Sequence, residues 1–370
     1  MSGLLRPEPS RWRRGHAGAL AGGGVVGGSR HQLDAVPAGP APAGGREGVP
    51  WTLADHVSYL VATAGRAPSV HNTQPWWFRV AGPALELHAD PQRGLPAADP
   101  SGREMFISCG AALFGLRLAV RGLGCHPAMQ LLPDPEQPDL LARVWLGAPE
   151  PTKPAERALL AAITRRHTHR GPFTSDALPA GLLAALQRVA EAEGGTLVLL
   201  DQPGHHQQLA ALVAAADRRQ RLLSMVPAEL RAWTRPPGSR ARDGVPARAY
   251  SAAPARPEER LALRDFDLGR GWGRLNGGGP PPAATMVLIT PGDGRADWLR
   301  AGQALHRLLL HAASRWVFAG LHTQPLEFAP VRAAIRARLA LPGAPQMLLQ
   351  LGRADTAPVT ARRPASELLI

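Results

Sequence analysis

Residues 67–78 read APSVHNTQPWWF, and the reading of this stretch decides the fold. It follows an amphipathic run, Leu53–Gly65, whose spacing predicts a helix opened by Thr52, with Asp55 three residues on as a weaker capping box. It leads into an apolar, strand-like segment. Ser69, Asn72, Thr73 and Gln74 offer donors and acceptors together, while Pro68 and Pro75 fix φ on either side. Trp76 and Trp77 would wall a flat apolar ring, and the amides would read the carbonyl and N–H edge of that ring. A planar heteroaromatic cofactor suits such a loop. An Asn/Pro turn bonding its own backbone accounts for the same composition.

A second motif lies a hundred residues on, at Arg165–Phe173, RRHTHRGPF. Arg166, Thr168 and Arg170 alternate, so an extended backbone turns two guanidinium groups and a hydroxyl to one side, a geometry suited to phosphate. In so arginine-rich a chain, a solvated charged turn gives the same pattern. His167 and His169 form an H-x-H pair with no third ligand nearby in sequence, so no metal is expected. Near the end, Gln350–Gly352 and then Arg362–Arg363–Pro364 supply a strand closing on glycine and further basic residues.

Between these motifs the pattern is α+β. Strands are predicted at 85–89, 140–146, 196–200, 286–290 and 347–351. Helices are predicted at 105–123, 155–166, 182–193, 207–223 and 297–314, with Asp99 poised to start the first and an apolar turn at 316–321. Gly110–Leu113 (GAAL) and Gly302–Leu305 (GQAL) stand 192 positions apart in two long apolar helices, and Leu140–Gly147 echoes Met347–Gly352. Two degenerate halves of one duplicated unit follow, over 51–150 and 151–365. Residues 227–282 are rich in Pro, Gly and Arg, with Trp233, Tyr250, Phe266 and Trp272 as anchors, and read as a lid-like insert or a disordered segment.

With 370 residues, 45% of them hydrophobic, the chain can bury a sizeable core. The net charge of +13 rests on arginine, since Lys153 is the only lysine, and no basic stretch interleaved with aromatics forms a nucleic-acid module. Cys109 and Cys125 match neither a redox pair nor a zinc pattern and read as buried free thiols. No unbroken apolar run reaches the length of a membrane span. Residues 1–50, with Arg13–Arg14, a Gly/Ala stretch and Ala41–Ala43, resemble an imperfect twin-arginine export signal or a disordered tail, leaving cytoplasm and periplasm both open.

The run APSVHNTQPW is similar to the flavin-binding loop of the nitroreductase superfamily. Together with RRHTHR it most resembles the Acg-type branch, in which one chain imitates a nitroreductase homodimer. The resemblance implies a nitroreductase-like fold and one FMN per monomeric, pseudo-dimeric chain. Ser69, Asn72 and Gln74 would face the isoalloxazine and ribityl chain, and Arg166, Thr168, Arg170, Arg362 and Arg363 the phosphate. It further implies NAD(P)H oxidation, with a nitro compound or quinone as acceptor and no side chain as catalytic acid or base. The first half keeps the ring loop and the second the phosphate segment, so one complete site remains. A lid over the flavin would instead make the protein an FMN-sequestering one.

Overall fold

The computed structural model describes residues 52–202, 204–250, 261, 264–274, 282–354 and 360–370. The export-signal-like tail lies outside them. Helix α1 (Leu53–Ala64) leads through the loop to strands β1 (Trp76–Ala81) and β2 (Ala84–Ala89), then helix α2 (Arg103–Gly122) and strands β3 (Cys125–Leu131) and β4 (Leu140–Pro149). Helices α3 (Pro154–Ala162) and α4 (Leu182–Glu191) precede β5 (Thr196–Leu199). Between β5 and the next strand of its sheet lie α5 (His205–Leu222), α6 (Met225–Ala232) and, within the insert, a parallel pair, β6 (Thr234–Arg235) with β7 (Val245–Pro246). The chain closes with β8 (Ala284–Thr290), α7 (Arg295–Ala313), β9 (Phe318–His322), α8 (Ala329–Arg338), β10 (Ala344–Gly352) and α9 (Ala365–Leu368).

Among the described residues, two four-stranded antiparallel sheets repeat one order, β1-β2-β4-β3 and β5-β8-β10-β9. The halves are thus one α+β unit used twice, with α1 answering α4 and α2 answering α7. Helices α2 and α7 cross at their glycines. A Cβ on Gly110 would stand 2.3 Å from the Leu299 carbonyl oxygen, and one on Gly302 would stand 2.0 Å from that of Ile107. The partners in each contact differ by the same 192 positions, so the contact is its own mirror about a pseudo-two-fold axis. Backbone touches backbone there because neither residue has a side chain.

Both cores spread from this crossing. Leu60, Val61, Phe78, Leu87 and Leu116 fill the first, and Leu186, Leu288, Leu308 and Leu349 the second. By length and composition α2 could cross a membrane, yet 83% of its apolar window is buried within the molecule, so it is a core helix. Both cysteines are buried and free.

Several elements differ from the sequence reading. The strand period of β1 sends Trp76 into the core and Trp77 to the other face, where it stacks on His88 at 3.8 Å. Neither tryptophan is free to wall a ring. The apolar turn at 316–321 becomes strand β9, because pairing with β10 satisfies its backbone. Strand β3 and helix α8 gave no clear period and were not anticipated. Asp99 does serve the start of α2, its carboxylate accepting from Met105 N at 2.9 Å, although Gly102 is the capping residue.

The halves diverge in two connections. The β1–β2 turn is residues 82–83, whereas its counterpart between β5 and β8 is the long excursion that holds the insert. The loop between α1 and β1 is residues 65–75, whereas between α4 and β5 it shrinks to 192–195.

Replacing Gly302 by alanine is expected to destabilise the protein by about 2–4 kcal/mol in guanidinium denaturation, because the added methyl strikes the α2 backbone at Ile107, Gly110 and Ala111. A loss under about 0.5 kcal/mol, within the range of surface changes, would show that the helices can part without cost.

Candidate functional site

The loop after α1 is built from uncommon backbone. His71, Asn72 and Gln74 hold φ of 48°, 57° and 51°, the left-handed region. Local bonds enforce it. The Ser69 hydroxyl accepts from Gln74 N at 2.9 Å, Thr73 N donates to Val70 O at 2.9 Å, and the Cys109 thiol donates to Pro75 O at 3.1 Å. Ser69 therefore serves the turn itself.

The two amides reach outward. Asn72 Nδ2 donates to Gly244 O at 3.1 Å and Ala361 O at 3.2 Å. Gln74 Nε2 donates to Arg242 O at 2.8 Å, while Gln74 Oε1 accepts from Arg363 N at 2.8 Å. Loop, insert and C-terminal segment thus meet on two side chains. The insert is fastened further by Asp243, which pairs with Arg93 at 2.5 Å and Arg235 at 2.8 Å, while Arg93 Nε also donates to Thr73 O at 2.7 Å. Phe266 packs on the same site, edge-on to the buried His71 at 5.4 Å and beneath the Arg170 guanidinium at 5.3 Å.

Beside this junction lies the RRHTHR segment, held extended by His169 N donating to Ala319 O at 2.8 Å and by a bridge between Thr168 and Ala319. Alternation turns His167 and His169 the other way, into contact with Phe318 and Phe173, where burial depresses both imidazoles. Arg166 is buried, and desolvation, then the charges of Arg66 and Arg170, bring it down to about 10. Desolvation alone takes Arg170 to about 10. Arg362 is also lowered, by burial first and then by Arg166, Arg66 and Arg170. Among the described residues no carboxylate pairs with Arg166, Arg170 or Arg362.

Among the described residues, Arg166 Nε and Nη1 and Arg362 Nε are buried donors without an acceptor, and Asn72 Oδ1 and Thr73 Oγ1 are likewise unpaired. Like charges packed together in low dielectric are costly unless an anion completes them. The structure thus gathers Arg166, Arg170 and Arg362, and Ala361 links them to Asn72. It does not gather Arg363 with them, whose guanidinium donates to Glu367 O at 2.7 Å. Sequence reasoning missed Arg66 and the insert residues Arg242–Gly244. Arg66 directly precedes the APSV run, a signal that was available; the insert residues carried none.

Over 323 residues the chain is 36% identical to the Mycobacterium tuberculosis protein Rv3131, a candidate NAD(P)H nitroreductase by name, spanning 85% of this chain and 91% of the relative. It is 30% identical over 322 residues to the Mycobacterium tuberculosis protein acg, named in the same way, spanning 85% of this chain and 95% of the relative. The chain belongs to the nitroreductase superfamily, in its Acg-type branch. No family model matches this Acg-type chain. Among solved structures, the FMN-dependent nitroreductase NfnB from Mycobacterium smegmatis in complex with NADPH shares 17% identity and a TM-score of 0.36, spanning 57% of this chain and 96% of that one. At that score the likeness assigns no residue roles.

Removing one like charge should relieve the ligand-free protein. Arg362→Gln is expected to raise its stability by on the order of 1–2 kcal/mol in thermal melts. Millimolar phosphate is expected to raise the melting temperature of the unaltered protein, and the same change should abolish that rise. A fall in stability without phosphate would refute the repulsion argument.

Proposed function

We propose that this Acg-type protein is an FMN-dependent oxidoreductase of nitroreductase type, carrying electrons from NAD(P)H to a nitro compound or quinone. The observation that supports the reading most is the set of buried, unpaired guanidinium donors on Arg166 and Arg362, beside Arg170 and Thr168. A phosphate ester would complete them. FMN fits this donor set at one end and the Ser69–Gln74 loop at the other.

In this reading Arg166, Thr168, Arg170 and Arg362 hold the phosphate. Asn72, Gln74 and the Ser69 turn lie toward the ring edge and the ribityl chain, and Arg363 joins them there through its bond to Gln74. When bound, the flavin supplies the redox chemistry, accepting hydride from a nicotinamide and releasing electrons to an acceptor. The protein's part is to grip the phosphate, orient the ring and control access. A single site per chain agrees with the shortened 192–195 connection, which leaves no room for a second ring loop.

One observation favours a second reading, an FMN-sequestering protein with little turnover. The insert's carbonyls at Arg242 and Gly244 occupy the Gln74 and Asn72 amides, and Asp243, braced by Arg235 within the insert, locks it to Arg93.

Anaerobic addition of NADH or NADPH to the flavin-loaded protein separates the two. The oxidoreductase reading expects bleaching of the flavin absorbance, made roughly tenfold faster by Asp243→Ala, since bonds to a charged group contribute about 1.5–3 kcal/mol. No bleaching in either protein would defeat the enzyme reading. Bleaching in Asp243→Ala alone would favour sequestration.

A further inference from the structure

His306 lies on α7 with no solvent exposure, and its Nδ1 stands 2.6 Å from the Ala111 carbonyl oxygen of α2. A carbonyl only accepts, so Nδ1 carries the hydrogen. In the neutral ring Nε2 is then a bare acceptor. Burial, followed by the Arg166 charge, holds the imidazole down to about 3, so it stays neutral. Among the described residues Nε2 has no partner.

Arg166 and Arg362 are the charges that act on this ring, and their unpaired donors face the same problem in reverse. These donors and this acceptor do not satisfy one another. A ligand that completes them accepts through anionic oxygens at the arginines and donates a hydrogen to Nε2.

The pseudo-symmetry sharpens the point. The residue 192 positions earlier is Phe114, which touches His306 edge-on at 5.8 Å. Phe114 packs in an apolar cluster with Leu159, Ile163, Leu310 and Phe318. The imidazole therefore has no counterpart at the related position, and it is the ring on which Arg166 and Arg362 act. Gly115 supplies its berth, because a Cβ there would lie 3.4 Å from His306 Cε1 and 3.1 Å from Ala64 Cα.

We infer that His306 is a ligand-binding residue of this site, its Nε2 accepting a hydrogen from a hydroxyl of the polyol chain that bears the phosphate. The inference rests on the FMN reading for the identity of that polyol, the ribityl chain. The ligand class is a phosphorylated polyol, distinguished from inorganic phosphate, which has no polyol hydroxyl to give.

Flavin-free protein would be titrated with FMN, riboflavin, ribitol 5-phosphate and inorganic phosphate, comparing His306→Phe, His306→Gln and the unaltered chain. His306→Phe is expected to weaken FMN, riboflavin and ribitol 5-phosphate by about tenfold, and inorganic phosphate little. His306→Gln, which keeps an acceptor, should recover much of the loss, and thermal melts of both variants report folding separately.

The nitrogen-15 signal of Nε2 should stay that of an unprotonated imidazole nitrogen when ligand binds. Unchanged polyol affinities in a folded His306→Phe protein would overturn the inference. So would a loss that spared riboflavin but struck FMN, ribitol 5-phosphate and inorganic phosphate, with a protonated Nε2, which would make His306 a cation for the phosphate. If the unaltered protein bound ribitol 5-phosphate but no flavin, the FMN reading would fail while the His306 contact stood.

Discussion

Two glycines carry the architecture. At Gly110 and Gly302 the backbones of α2 and α7 approach so closely that any side chain would strike a carbonyl, and each contact repeats the other under one shift in numbering. Two sheets are hung from this single crossing, one on either side, and each core grows outward from its own central helix. The connections that distinguish the halves are peripheral to it, which is why they could diverge so far while strand order did not.

The divergence concentrates chemistry on one side of the axis. The first half retains a long loop after its opening helix, and the second lengthens what was a tight hairpin into an insert that folds back over that loop. The arginines come from neither half alone. Arg66 follows α1, Arg166 and Arg170 follow α3, and Arg362 precedes α9 after the chain has returned toward the first half, where Ile370 N donates to Phe78 O. Such a cluster is expensive in a dry interior, and the bare acceptors beside it make the site asymmetric in kind as well as in charge. The proposed phosphate-bearing flavin answers both demands at once.

Asn72 and Gln74 show how one pair of amides can serve two masters. The polar loop was legible from its composition, and so was its rigidity. The bonds actually made run to main-chain carbonyls of the insert and the tail, partners that no local pattern indicates. The tryptophans teach the converse. Two adjacent aromatic rings look like the walls of a slot, yet a strand sends neighbours to opposite faces, and the demand of the core for Trp76 outweighs any role beside a ligand.

What the sequence determined by itself was periodic or compositional: the long apolar helices with their matching small residues, most strands, the alternating Arg-x-Thr-x-Arg, and the two cysteines as inert thiols. These follow from local rules, since a side chain's face is set by the period of its own element. What only the tertiary structure decided was proximity. That Arg66, Arg166, Arg170 and Arg362 come close enough for their charges to act on one another, that Arg363 turns away, that His306 stands where its counterpart is a phenylalanine, and that Asp243 clasps the insert are all consequences of long-range packing. Contacts between residues a hundred or more positions apart depend on how whole elements dock, and sequence spacing carries no record of that.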